Sequence, residues 1–207
     1  MEKLKQGFFY PIILSKVVKS ELANYYSKFE ITKILFNTRR EYNAIIKRIP
    51  PMGGDENLMI KNMYLGAYLI ALYRQIKDKV TLSEYKKFTM DGLRKSDFLR
   101  DKISRINYLE KRYQDNLARC AEWSENNKDK YPWTWQFTTE SNPEIPEFRI
   151  YFTNCGLYNL CIAENISELN PILCETDFVM AEMAGCTFSR TKTLADGDDC
   201  CDFCYGK

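Results

Sequence analysis

Not one of the 207 residues is histidine. That absence removes the commonest general base, the Ser-His-Asp and Cys-His arrangements, and every zinc site that needs an imidazole. Any chemistry must then run on thiols, carboxylates and basic side chains. Long apolar runs are missing too. The longest uncharged segment, Ile150 to Ala163, is too short and too polar for a bilayer span, which takes about 20 apolar residues. A basic start, Met1 to Lys5, precedes the apolar stretch Phe8 to Leu14, but Pro11 interrupts it, Lys16 and Lys19 follow, and there is no small-residue cleavage site. No internal repeat or low-complexity tract is present. The expectation is a cytoplasmic protein with reduced thiols, no signal peptide and no membrane partner.

What is present is concentrated at one end. Seven of the eight cysteines fall in the last 53 residues, which close with Cys200-Cys201-Asp202-Phe203-Cys204. Residues 131–207 carry four basic side chains (Arg149, Arg190, Lys192, Lys207) against twelve acidic ones, so the basic excess lies in the first 130 residues. There it is spread through amphipathic stretches mixed with Glu and Asp and reads as a solvated face, not as a nucleic-acid surface. A chain of this length with 45% hydrophobic content can bury one sizeable core. We expect a single domain over 1–207, with a helical layer in 1–130 and a Cys-rich, sheet-containing part in 131–207.

Apolar residues recur at helical spacing in Phe9 to Leu22, Ile31 to Ile49 and Leu58 to Ile76. Thr81-Leu82-Ser83-Glu84 has the form of a capping box opening a fourth helix. Asp97 to Trp123 reads as one long amphipathic helix, with Asp115 and Arg119 paired one turn apart. Past Asn127 the period changes to two, in Trp133-Trp135-Phe137 and in Phe148-Ile150-Phe152, joined by the linker Ser141 to Pro146. Leu157 to Glu164 and Pro171 to Glu182 return to helical spacing. Cys186 to Leu194 and Cys200 to Tyr205 read as closing strands. The predicted class is α+β: an N-terminal helical layer on a small antiparallel sheet with two intervening helices.

Asp196-Gly197 between the last two strands signals a tight two-residue hairpin with both central residues at positive φ. That register pairs Lys192 with Cys201, Arg190 with Phe203 and Phe188 with Tyr205. Cys201 would then face one cation and lie diagonal to a second, the surroundings that activate a thiolate. The opposing reading is a cysteine acting as a small apolar side chain, which we accept for Cys120, Cys161 and Cys186. Asp202 and Arg190 each have two readings: exposed side chains on a solvated strand face, or a partly enclosed carboxylate and a buried guanidinium that calls for a carboxylate partner or ligand. A single C-x-x-C, Cys201 to Cys204, makes a weak metal signal without histidine. Cys155, Cys174 and Cys201 with Asp177 are the alternative metal set. No metal or other cofactor is expected.

The pattern Phe188-x-Arg190-x-x-Thr193-Leu194-Ala195-x-Gly197-x-x-x-Cys201-Asp202-Phe203, preceded by Cys155 and Cys174-x-x-Asp177, resembles the L-2-amino-thiazoline-4-carboxylic acid hydrolases. The resemblance covers roughly residues 150–205, with a weaker echo in Leu65 to Arg74. Cys200 and Cys204 are additional thiols here, and Gly156 stands where proline is more usual. The resemblance implies hydrolytic opening of a cyclic amidine to N-carbamoyl-L-cysteine or a close relative. Such ring opening needs either a thiolate that adds first or a carboxylate that activates water; we favour Cys201 as nucleophile and Asp202 as proton shuttle, with Asp177 as a further catalytic carboxylate. Arg190, Thr193, Cys155 and Cys174 would bind the small-molecule substrate. The other class of function is a non-enzymatic module that binds a small molecule or metal through the thiols. Oligomeric state is not legible.

Overall fold

The computed structural model describes residues 7, 9–142 and 144–207. The basic start at Met1 to Lys5, Phe8 of the first apolar stretch and Pro143 of the linker lie outside the described residues.

Six helices come first: α1 (Tyr10–Leu22), α2 (Lys28–Arg48), α3 (Ile60–Ile76), α4 (Leu82–Lys95), α5 (Asp97–Ile103) and α6 (Lys111–Asn127). Two strands follow, β1 (Gln136–Asn142) and β2 (Glu147–Asn154), then α7 (Gly156–Ala163), α8 (Asn170–Ala184), β3 (Thr187–Ser189) and β4 (Cys201–Gly206). The class is α+β, as the two periodicities require.

α3 is apolar almost all round, and twelve of its seventeen residues are buried, the mark of a central helix. It packs on α1, α2 and α7, and Gly66 lets α7 come close: a Cβ there would stand 2.3 Å from Leu157 Cδ2. Thr81 caps α4, with its hydroxyl accepting from the Glu84 amide while the Glu84 carboxylate accepts from Thr81 N–H; Ser27 and Glu30 do the same for α2.

The sheet is antiparallel throughout in the order β1-β2-β4-β3. Phe148, Ile150 and Phe152 of β2 stand opposite Tyr205, Phe203 and Cys201 of β4 and form its inner face. Arg149 and Thr153 face solvent on the other. α6 covers β1, and α8 covers β3 and the 3₁₀ turn at Leu194–Asp196. One continuous hydrophobic cluster runs from Leu14 through α3 to Cys201 and Tyr205.

Three sequence expectations need correction. The long helix breaks at Ser104–Glu110, because Asn107 Oδ1 accepts the Leu109 amide and its carbonyl the Glu110 amide, forming a turn that competes with helix. Asp115 accordingly pairs with Lys111, not Arg119. The first strand begins at Gln136, since a turn from Tyr131 to Thr134 occupies the backbone ahead of it, although Trp135 is buried as expected. The third correction is the hairpin. Phe188 does face Tyr205, but the ladder stops at Ser189 and residues 190–200 form a loop. Gly197 has φ +92°, whereas Asp196 lies in a 3₁₀ turn, so a two-residue turn with both central residues at positive φ does not form.

Candidate active site

The loop leaves the ladder because carboxylates take its amides. Asp202 Oδ1 accepts from Thr191 N at 2.8 Å and Lys192 N at 2.6 Å, and its other oxygen accepts from Thr191 Oγ1 at 2.6 Å. Asp198 accepts from Thr193 N at 2.8 Å, and Thr193 Oγ1 donates to Asp196 Oδ2 at 2.6 Å. Leu194 N–H then donates to Cys201 Sγ at 3.3 Å.

Lys192, expected across from Cys201, turns outward to Asp199 at 3.0 Å. Of the two expected cations only Arg190 acts on the Cys201 sulfur. Its side chain is 10% exposed, and Nη1 donates to the Cys174 carbonyl at 2.9 Å and to Asp177 Oδ2 at 3.3 Å. Among the described residues no protein acceptor meets its Nε or Nη2. Phe178, Phe203 and Phe188 surround the guanidinium, with ring centroids 5.0, 5.8 and 6.0 Å from Cζ, a cation–π setting that holds the charge in place.

α8 supplies the other side. Cys174, Asp177 and Phe178 lie at i, i+3 and i+4, one helical face. Asp177 keeps a third of its side-chain surface open yet is so hemmed in by protein that burial pushes its carboxyl up to about 7 against the pull of Arg190. Asp177 is thus a carboxylate crowded by protein yet partly exposed. Cys155 and Cys201 stand within reach of its charge. Cys155 caps the start of α7, where burial pushes its thiol up to about 11 while the amides of Tyr158 and Leu157 pull the other way. Cys174 is raised by burial and by Asp177. Cys201 is raised by burial too, more than the Leu194 amide and Arg190 lower it. The expected resting thiolate is therefore corrected: Cys201 needs a base to take its proton.

Cys155, Cys174, Asp177, Arg190 and Cys201 thus form one cluster of interacting groups. Asp202 and Thr193 do not join them. Asp202 follows Cys201 on β4, so its carboxylate leaves the opposite face. Burial would raise it, but the Thr191 hydroxyl and the Lys192 and Thr191 amides outweigh that and hold it below the ordinary carboxylate range, the wrong direction for a proton shuttle near neutrality. Thr193 is buried with its hydroxyl tied to Asp196. Although they share this cluster, the four side chains of the alternative metal set are not placed to share an ion. Among the described residues no three of Cys, Asp or Glu stand where they could hold a metal ion.

Two contributors escaped the sequence reading. Phe178 follows Asp177 with no pattern to single it out. Tyr205 lies four residues after Cys201 on the inner face of β4, stacked flat on Tyr108 with centroids 4.1 Å apart, and within the field of Asp177. Only the period-two row Cys201-Phe203-Tyr205 hinted at it.

No helix among the described residues is long and apolar enough to cross a membrane. Comparison with curated proteins and with solved structures returned no match. A family model does match, and it runs from α3 to β4, further upstream than the motif residues and across every element that contributes to this cluster. With residues 59–205 matched, the chain belongs to the L-2-amino-thiazoline-4-carboxylic acid hydrolase family.

Proposed function

We propose that this protein is a cysteine-dependent hydrolase that opens the ring of L-2-amino-thiazoline-4-carboxylate, or a close cyclic amidine, to give N-carbamoyl-L-cysteine. The observation that carries this reading is the meeting of Cys201, Asp177 and Arg190, from a strand, a helix and a loop, in a chain of this family. Arg190 offers Nε and Nη2 to the substrate carboxylate, a planar fork suited to bidentate pairing.

The reaction then follows the proton. Asp177 takes the Cys201 proton, and the sulfur adds to the ring carbon between nitrogen and sulfur of the protonated amidine. That carbon's bond to the ring sulfur breaks. The departing sulfur keeps the electron pair and takes the proton from Asp177, leaving an amidinium thioester-like adduct on Cys201. Asp177 next removes a proton from water, whose oxygen adds to the same carbon. Loss of the Cys201 sulfur, reprotonated through Asp177, releases the urea product. One water is consumed and the thiol is regenerated. An acid held near pH 7 can take and give a proton in both halves of this cycle.

This reading treats 1–207 as one domain, since the core cluster is continuous, and places it in a reducing cytoplasm that keeps all eight cysteines free. The test is turnover of 2-amino-thiazoline-4-carboxylate, followed by chromatography of the product. Cys201→Ser should abolish it. Wild-type turnover in Cys201→Ser would overturn the nucleophile and leave water activated by Asp177. No turnover by the unmodified protein would discard this substrate in favour of related cyclic amidines.

A further inference from the structure

Four successive backbone amides, Thr191 to Leu194, each donate to an acidic or thiol side chain. The first two serve Asp202, the third Asp198 and the fourth Cys201. The loop presents an N–H to the Cys201 sulfur as it does to two carboxylates, a donor in place for the thiolate once the proton has left. The four amides form one continuous run of donors that serves groups on both faces of β4. Such a run would lose its shape if the first two amides were released. They are held by two short bonds to Asp202, and the Thr191 hydroxyl adds a third to the same carboxylate.

We propose that Asp202 is a positioning residue of the hydrolase site: by pinning Thr191 and Lys192 it fixes Arg190 on one side and the Leu194 N–H on the other. This rests on the proposed reading of the cluster and adds to it a residue that never touches substrate. Cys201 and Asp202 divide the labour by strand alternation, the thiol facing inward to the reaction and the carboxylate outward to the loop that serves it.

The test is alkylation of Cys201 by iodoacetamide across a pH series, read by peptide mass spectrometry in the full chain. The groups acting on Cys201 are the Leu194 amide and Arg190, which favour the thiolate, and Asp177 on α8 and the adjacent Cys200, which oppose it; Cys155 after β2 and Cys174 on α8 also stand near, and their own thiols are pushed up by burial and then by the Cys201 charge. Removing a negative charge at Asp202 would, by electrostatics alone, move the alkylation curve to lower pH. Loss of the Leu194 amide moves it the other way. We expect Asp202→Asn to shift the curve upward by about one pH unit, the scale of one hydrogen bond to a charged group. Thr191→Val, a milder change in an exposed loop residue, should shift it less in the same direction. In turnover, Asp202→Asn should raise KM about tenfold through Arg190 and keep the acidic limb of the pH profile. An alkylation curve that is unmoved or shifted downward in both variants would overturn the proposal. Loss of the acidic limb with unmoved alkylation would return Asp202 to proton transfer. Alkylation needs no substrate, so it stays readable if the turnover assignment fails.

Discussion

At the scale of single residues, the decisive group is Asp177. Its carboxyl titrates near 7, and the proposed mechanism requires a free enzyme with Asp177 ionised and Cys201 protonated. Thus kcat/KM should rise through about pH 7 on the acid side. Asp177→Asn should erase that limb and lower kcat by about 10²–10⁴, the usual contribution of general acid–base catalysis, as stopped assays from pH 5 to 9 will show. The same group links to stability with a definite sign. Between its ordinary 3.8 and about 7 the folded protein holds a proton that the unfolded chain releases, so stability falls as pH rises through that window. Asp177→Asn should therefore melt about 2–4 °C above the wild type at pH 8 and level with it at pH 3.5, by calorimetry. Cys120, buried with its thiol donating to the Asn116 carbonyl, lies outside the cluster, and Cys120→Ser should leave turnover unchanged.

Among the elements, two local devices set where helices begin and end. The Thr81–Glu84 box satisfies amides that α4 cannot pair internally. Thr81→Ala should cost about 1 kcal/mol, a loss of about 2–4 °C in Tm for a chain of this size, without touching KM. Gly185 ends α8 at φ +71°, its amide bonded to Ala181 and Glu182, and turns the chain into β3. Nothing crowds a Cβ there, so Gly185→Ala should cost about 1 kcal/mol from backbone conformation alone. A denaturant midpoint shift without a change in slope would check it.

For the whole molecule, Glu164 at the end of α7 ties that helix, which starts just after Cys155, to the helical layer. Its carboxylate accepts from Arg48 of α2 and Arg74 of α3, and its carbonyl from Arg74. Burial would raise it, but the two guanidinium groups outweigh that and hold it below its ordinary 4.5. A lowered carboxyl stabilises above the unfolded value and loses that contribution as pH falls through the folded one. Glu164→Gln should therefore lower stability by about 1.5–3 kcal/mol at pH 7. The difference from wild type should shrink below pH 4.5, as urea titrations at pH 7 and pH 4 will register.

The sequence by itself determined the α+β class, the helix start at Thr81, the alternation of Phe148 to Phe152, and the motif that marks the family. Each rests on neighbours along the chain: a cap spaced by three residues, a period of two, a fixed order of side chains. It placed Phe188 against Tyr205 correctly, because the longer loop that replaces the tight turn opens symmetrically about Asp196-Gly197 and so keeps the register. The length of the ladder was not legible. Asp-Gly favours a tight turn locally, but the Asp202, Asp198 and Asp196 carboxylates capture the Thr191 to Thr193 amides and hydroxyls and divert the strand into a loop. The proton chemistry was decided only by tertiary structure. Asp177 and Asp202 look alike in sequence, and each lies in an apolar context. Packing surrounds the first until its carboxyl holds a proton near neutrality, and gives the second three donors that keep it ionised. Desolvation and hydrogen bonding, which separate an acid–base group from a structural clamp, depend on residues far away in sequence.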